Sequence, residues 1–452
     1  MRRLLPRCFS VLALSLLSSL TASIAIAQTI PIQSPVRRLE GQFNTTPVLH
    51  SNQPEIVQSE GILIDTGPGF VRVTGSDLNR VPPHLQTIAN PTYAFNGPFG
   101  LHLHHVYRPS DTTKFGGTRD RGLLYVGVIA TNFSDRPVRL GFQEGSLNTS
   151  FESPFFTQTL GVFSNSRWNY KSGPGDAAAL SLLTGKRDWR LPAGLVLPPR
   201  SRSLLFSLPI AARGSATVLA RGVSDGPVHL AVVATDHNPD PDAFFSVLDR
   251  RLLAEGRTYL ADLLRIQQRQ VFSRVGGVAQ GDRYEANLEA DLQQPLHVPL
   301  TTTWRKHFGT QELQANSLLT RMPDSALENI GTYGVEYVLN FRLRGQGLQR
   351  LLFSTLPEPK DFLAFRGTLR IDFQGQTDYV HLSQRSGSTD TLYQFQMPPS
   401  GQADLRVSLV YPPDSTPGHL LSIVPEVEYA RLLPSPLPIS PALSSQRLLS
   451  FP

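Results

Sequence analysis

Leu123-Leu124-Tyr125-Val126-Gly127-Val128-Ile129-Ala130, then Asn132-Phe133-Ser134-Asp135, then Pro137-Val138-Arg139-Leu140-Gly141-Phe142 is the stretch that decides the fold class. The first run is short, apolar and rich in β-branched and aromatic residues, which favours a buried strand over a helix of useful length. Four turn formers stop it, and a second run of alternating character answers it, so the stretch reads as strand, turn, strand. Runs at 204–208, 216–219 and 228–233 repeat the pattern. Residues 95–235 are therefore expected to form one antiparallel β-sandwich.

A second block, 278–430, reads the same way. Val335-Glu336-Tyr337-Val338-Leu339-Asn340-Phe341-Arg342-Leu343 alternates apolar with polar residues, Gly345-Gln346-Gly347 turns, and 348–353 returns. Runs at 367–373 and 378–382 form a further pair, and the run at 405–411 ends at Pro412-Pro413. With 35 Gly and 37 Pro spread between such runs, punctuation is dense along the whole chain, as many short strands require. The expected class is mainly β: two antiparallel β-sandwich units, immunoglobulin-like or jelly-roll-like, with a short helical connector at 236–277. In the connector Asp240-Pro241-Asp242 offers a cap and a first-turn proline, and Phe244, Phe245, Leu248, Leu252 and Leu253 follow at helical spacing. A second helical stretch is expected at 259–270. Residues 28–94 are expected to run as an extended segment packed on the body, and 431–452 as a Pro/Ser-rich tail.

The N-terminus carries the three parts of a secretory signal over 1–27. Arg2, Arg3 and Arg7 precede a short Leu-rich apolar stretch, and Ala25-Ile26-Ala27 places small residues before a cut at Gln28. Cys8 lies among the arginines, ahead of the apolar stretch, where a lipidated cysteine does not stand. It is the only cysteine, so the mature chain has no disulfide, thiol nucleophile or thiolate ligand. The whole chain has 42 Lys and Arg against 36 Asp and Glu, and loss of the signal leaves 39 against 36. No long basic run remains, so nucleic acid is not an expected partner. After cleavage no transmembrane segment is expected, and the location is periplasmic, envelope-associated or extracellular.

Several segments form a recognisable set: Pro47-Val48-Leu49-His50-Ser51-Asn52-Gln53-Pro54-Glu55 with Glu60-Gly61-Ile62-Leu63, Phe99-Gly100-Leu101-His102-Leu103-His104-His105, and Ser172-Gly173-Pro174-Gly175. In the second half they are Gly277-Val278-Ala279-Gln280-Gly281, Tyr333-Gly334-Val335-Glu336-Tyr337, Phe365-Arg366-Gly367-Thr368-Leu369-Arg370 and Tyr411-Pro412-Pro413-Asp414-Ser415-Thr416-Pro417. Together they resemble a family of exported cyanobacterial proteins known only as a domain of unknown function. The resemblance implies secretion and a β-rich body; it supplies no activity and no site residues.

Candidate chemistry is sparse. On a strand His102 and His104 share a face, with His105 opposite, so the first two could give imidazoles to one metal ion. Asp236-His237-Asn238-Pro239-Asp240-Pro241-Asp242 spaces oxygen ligands like a calcium loop, yet Pro241 stands where glycine makes the sharp turn. A capped strand-to-helix connection fits better. No Gly-x-Ser-x-Gly elbow occurs, Ser172-Gly173-Pro174-Gly175-Asp176 lacks the Lys-Ser/Thr of a phosphate loop, and no cofactor is expected. Glu55, Glu60 and Asp414 read as turn or cap residues. Trp168, Tyr170 and Trp189, with amides and charges nearby, form a candidate sugar-binding surface. The expectation is a secreted, non-enzymatic envelope or extracellular protein that binds cell-wall material, exopolysaccharide or other surface proteins. The alternative is a carbohydrate-active hydrolase whose carboxylate pair forms only in the fold.

Overall fold

The strand expected at 123–130 runs over Leu123–Asn132, and its turn is fixed by Asn132. The Asn132 amide donates to the carbonyls of Arg136 (2.7 Å) and Pro198 (3.0 Å), while its Oδ1 accepts from the Ser134 N–H at 2.9 Å. This is the self-bonding turn for which Asn is suited. The next strand, Val138–Thr149, does not pair with the first among the described residues. Leu123–Asn132 bonds Ser201–Ala211 and the C-terminal part of Ser215–Thr235, whereas Val138–Thr149 bonds the N-terminal part of that same long strand. The turn thus carries the chain from one ladder to another. The same holds in the second half: Glu336–Arg344 and Leu348–Thr355 flank the Gly345–Gly347 turn but belong to different sheets.

This computed structural model describes residues 34–115, 122–151, 163–164, 173–237, 239–272, 274–358, 360 and 362–432. The expected signal segment and all but the first residues of the expected tail lie outside that set. The molecule is mainly β, 51% strand and 12% helix, with several open sheets. Sheets of twelve, seven, four and two strands are present among the described residues.

The runs expected at 216–219 and 228–233 are one strand, Ser215–Thr235. Its register against Phe95–Tyr107 slips between Ser224 and Val228, and beyond the slip it pairs with Leu123–Asn132 and Gly61–Asp65. A bulge of this kind bends a strand and lets it serve two ladders. Parallel pairings also occur, which the expected antiparallel pattern does not contain. Pro47–Ser51 lies parallel to Phe95–Tyr107, and Arg283–Asp291 lies parallel to Glu336–Arg344. Each pair is separated by a long stretch of chain, as a parallel crossover demands.

Two large hydrophobic clusters fill the interior. One is built mainly from residues 49–260, around Phe95, Phe99, Val128 and Val232; the other mainly from 284–423, around Tyr337, Phe341, Phe353 and Leu409. The chain is exchanged between them: Leu39 joins the second, Val278 and Met322 the first. Gln42–Phe43 pairs with Arg283–Asp291, and Gly276–Gln280 lies between Pro47–Ser51 and Ala315–Arg321. Residues 34–94 accordingly contribute strands to the sheets rather than only lying on them.

A charged staple reinforces the exchange. Arg221, on the long strand, reaches Glu144 at 2.8 Å on its own side and Asp282 (2.6 Å) and Glu336 (2.9 Å) on the other. Arg283 adds a contact to Glu336 at 3.1 Å. The three carboxylates more than offset the burial of Arg221 and raise its pKa. One cation satisfying three mostly buried acids ties the two clusters together.

The connector helix forms at Pro241–Arg250, with the Asp240 side chain accepting from the Ala243 N–H at 2.9 Å. Of the helical stretch expected at 259–270 only Leu263–Gln267 is helical. A further helix, Pro174–Leu183, begins within the glycine-rich run at 172–176, where the sequence reading places no helix. Among the described residues no helix is long and apolar enough to cross a membrane.

Candidate functional site

Gly173-Pro174-Gly175-Asp176 forms the first turn of the Pro174–Leu183 helix, with Pro174 where its missing N–H costs nothing. Asp176 is fully buried there, near the positive end of the helix dipole. Its partner is Arg366, from the Leu363–Phe373 strand, at 3.2 Å. Arg366 also grips Asp414, at 2.7 Å, in the turn that follows Gln402–Val410. A Cβ on Gly173 would land on the Arg366 guanidinium, and one on Gly175 would come 2.5 Å from the Asp414 carboxylate. Three segments on which the family resemblance rests therefore converge at one place.

The electrostatics of this knot are set by burial. Burial first, and then the Asp414 charge, holds the Asp176 carboxyl well above the usual carboxylate range, with Arg366 opposing. His381 accepts or donates to Thr368 Oγ1 at 3.1 Å and lies 4.0 Å from Asp176. Burial, and then the Arg366 charge, lowers its pKa to about 3, so it is neutral near pH 7.

Asp414 leads outward to a groove. Two contiguous hollows of about 840 and 540 Å³ share Gln270, Phe272, Thr416 and Pro417. One lip is the 413–417 turn, held by the Thr416 N–H to the Ala364 carbonyl at 2.8 Å. The opposite wall is the connector after its first helix. Tyr259 lies there with guanidinium groups of Arg257 and Arg265 at 5.6 and 5.5 Å from its ring. Further along, Arg269 stands 4.5 Å over the ring of Trp304. Trp304 is 46% exposed and Phe272 47% exposed, although both are large apolar side chains. The carboxylates of the groove are engaged: Glu55 pairs with Arg274, Glu358 with Lys306, and Asp414 with Arg366.

The histidines stand beneath this groove. His102 pairs with His50 across the parallel ladder, Nδ1 to Nδ1 at 2.8 Å, and His104 bonds Thr217 Oγ1 at 2.8 Å. His105, on the other face, bonds Ser51 Oγ and the Pro54 carbonyl, each at 2.8 Å. All four rings are buried, and burial lowers every one of their pKa values, to about 3 for His50 and His105. Neutral imidazoles bonded in this way fill the interface; only His104 reaches the groove lining. Among the described residues, the one group of three metal-capable side chains within reach of each other is Glu60, Asp236 and His237. Arg250 and Lys114 already hold its two acids, at 2.7 and 3.2 Å.

Trp168 and Tyr170 lie outside the described residues. Trp189 is 88% exposed, in a loop fixed by the Asp188–Arg190 ion pair at 2.7 Å. Sequence reasoning passed over Trp304, Phe272 and the connector arginines. The available signal was the Trp304-Arg305-Lys306 triplet, an aromatic next to two cations in an otherwise polar stretch.

The fold and site define a mainly β protein with a polar, aromatic-rimmed groove beside a partly buried Asp-Arg-Asp knot. Residues 34–425 match the family described as "Protein of unknown function (DUF3370)", and the chain belongs to that family. Among curated proteins none matches the sequence. Solved structures are only distantly similar. The secreted serine protease VesC from Vibrio cholerae is 10% identical, over 67% of this chain and 46% of its own, with a TM-score of 0.15. The plant receptor-like kinase FER is 9% identical, over 84% and 96%, with a TM-score of 0.15. The ANXUR1 extracellular domain from Arabidopsis thaliana is 7% identical, over 84% and 96%, with a TM-score of 0.14. The chain spans less than half of the protease's length.

Proposed function

We propose that this is an exported, non-enzymatic binding protein of the cell envelope or its surroundings, whose groove holds an extended polysaccharide. In this reading the body is a pair of β-sandwich units sharing strands, and the groove is the working surface. The observation that carries the proposal is the groove itself: long, concave, and lined by half-exposed Trp304 and Phe272 beside arginine and glutamine side chains. Aromatic faces stack on sugar rings while adjacent polar groups meet hydroxyls. Hydrolysis would need a carboxylate pair free to donate and accept protons across a glycosidic bond. The groove carboxylates are instead each tied to a cation, which supports binding over catalysis.

The test is retention of the purified mature protein on isolated cell wall and on exopolysaccharide. Wild type is expected to sediment with at least one of them, and Trp304→Ala to lose about tenfold in affinity, as removal of about 1.4 kcal/mol of stacking implies. Loss of all retention by the wild type would sink the reading. Release of reducing sugar ends would move it to the hydrolase class.

A further inference from the structure

We infer that the polysaccharide held in this groove is acidic, its carboxylates read by the arginines that line the groove. The inference rests on the groove being a polysaccharide site, and adds the chemical class of the chain. Six cations line the two hollows against three carboxylates. All three carboxylates are spent in ion pairs: Glu55 on Arg274, Glu358 on Lys306, Asp414 on Arg366, which lies behind the lining. Arg257, Arg265, Arg269 and Arg305 are left as the charge that a ligand meets. The contacts of Arg265 with Asp262 (3.5 Å) and of Arg269 with Glu328 (3.6 Å) are long and partly exposed, and such pairs hold little energy in water.

Arginine is suited to this task. Its planar guanidinium gives two parallel hydrogen bonds to a carboxylate and also stacks on a ring. Here ring contacts are built in, with Arg269 over Trp304 and Arg257 and Arg265 near Tyr259. These contacts restrict the arginine side chains before a ligand arrives, so less freedom remains to be lost on binding. A neutral glycan would bring no opposite charge to the four arginines. A uronate chain supplies both the ring for Trp304 and the anion for Arg269 and Arg305.

The experiment compares binding of the mature protein to polygalacturonate, to neutral dextran and to polyglutamate, at low and moderate salt. Expected is tighter binding of polygalacturonate than of either control, weakening severalfold between 50 and 200 mM salt because exposed charges are screened. The double variant Arg269→Gln/Arg305→Gln is expected to lose about tenfold for polygalacturonate while melting like the wild type; these side chains lie at the surface. The salt series on the wild type tests the inference without any variant. Equal affinity for dextran would overturn the acidic class and leave polysaccharide binding standing. Equal affinity for polyglutamate would reduce the site to an anion surface and overturn it as well. Binding to none of the three while the protein still sediments with envelope polysaccharide would also overturn it, whereas absence of both would remove the groove reading itself.

Discussion

Gly173 has no side chain because Arg366 occupies the space that one would take. The consequence is measurable. Gly173→Ala must push the guanidinium off Asp176 or Asp414, and is expected to cost about 2 kcal/mol, the usual scale for overpacking a fitted site. Gly194, which has open space around its Cβ position, is the control; its alanine variant is expected within about 0.5 kcal/mol of wild type. Urea midpoints for the two variants decide it, and equal midpoints would mean that the knot is not tightly fitted. The same reasoning gives Gly175 a packing role, since a Cβ there would come 2.5 Å from the Asp414 carboxylate. Close approach of the partly buried Arg366 is enough to account for Gly173.

At the scale of elements, the connector helix Pro241–Arg250 is the piece whose sequence logic carried straight through to structure. Asp240, at the end of the Asp-rich loop, caps it as its position before Pro241 predicts. Asp240→Ala is expected to cost about 1 kcal/mol, read as a drop in thermal midpoint, with the groove's ligand affinity unchanged. The Pro174–Leu183 helix shows the opposite case. Ala177, Ala178, Ala179, Leu180, Leu182 and Leu183 are all buried, so no polar face marks the helix. A helix apolar all round has no 3.6-residue signature against which to recognise it. Strand partners were equally hidden. The runs at 335–343 and 348–353 look like a hairpin, yet they join two sheets, because nothing in a single strand's alternation names its neighbour.

For the whole molecule, Arg221 and the buried histidines set the predictions. Arg221→Met would leave Glu144, Asp282 and Glu336 close together with their main cation gone, a change expected to cost about 3 kcal/mol or more. Loosening of the contact between the two clusters should appear as faster hydrogen exchange in Arg283–Asp291 and Glu336–Arg344. Unchanged exchange there would argue that the strand exchange alone holds the clusters together. The pH profile follows from His50, His105, His381 and His419, each lowered to about 3 by burial. They are neutral in the fold and take up protons near 6.5 when unfolded, so their contribution is complete above pH 6.5. It is lost as pH falls from 6.5 toward 3, at about 1.4 kcal/mol per pH unit for each histidine. Asp176 and Asp324, raised by burial, act in the opposite sense, their protonated forms being favoured in the fold. His102, His104 and His297 are lowered by burial as well and Asp77 is raised, so seven histidines against three carboxylates make acid lability the expected net result, checked by urea unfolding from pH 8 to pH 4. A flat profile would contradict the buried, neutral state of the histidines.

What the sequence determined by itself was local: the β class, the places of most strands, the capped connector helix and the shared face of His102 and His104. Each follows from periodicity, turn chemistry or capping, which act over a few residues. Tertiary structure alone decided which strands pair, how residues 34–94 and 276–330 thread between the two clusters, and which charges meet. The knot joins Asp176, Arg366 and Asp414, and the groove sets Trp304 beside Arg269, across separations in the chain that no spacing rule spans. Such meetings arise from packing one sheet against another, so the groove became visible only once the chain had folded.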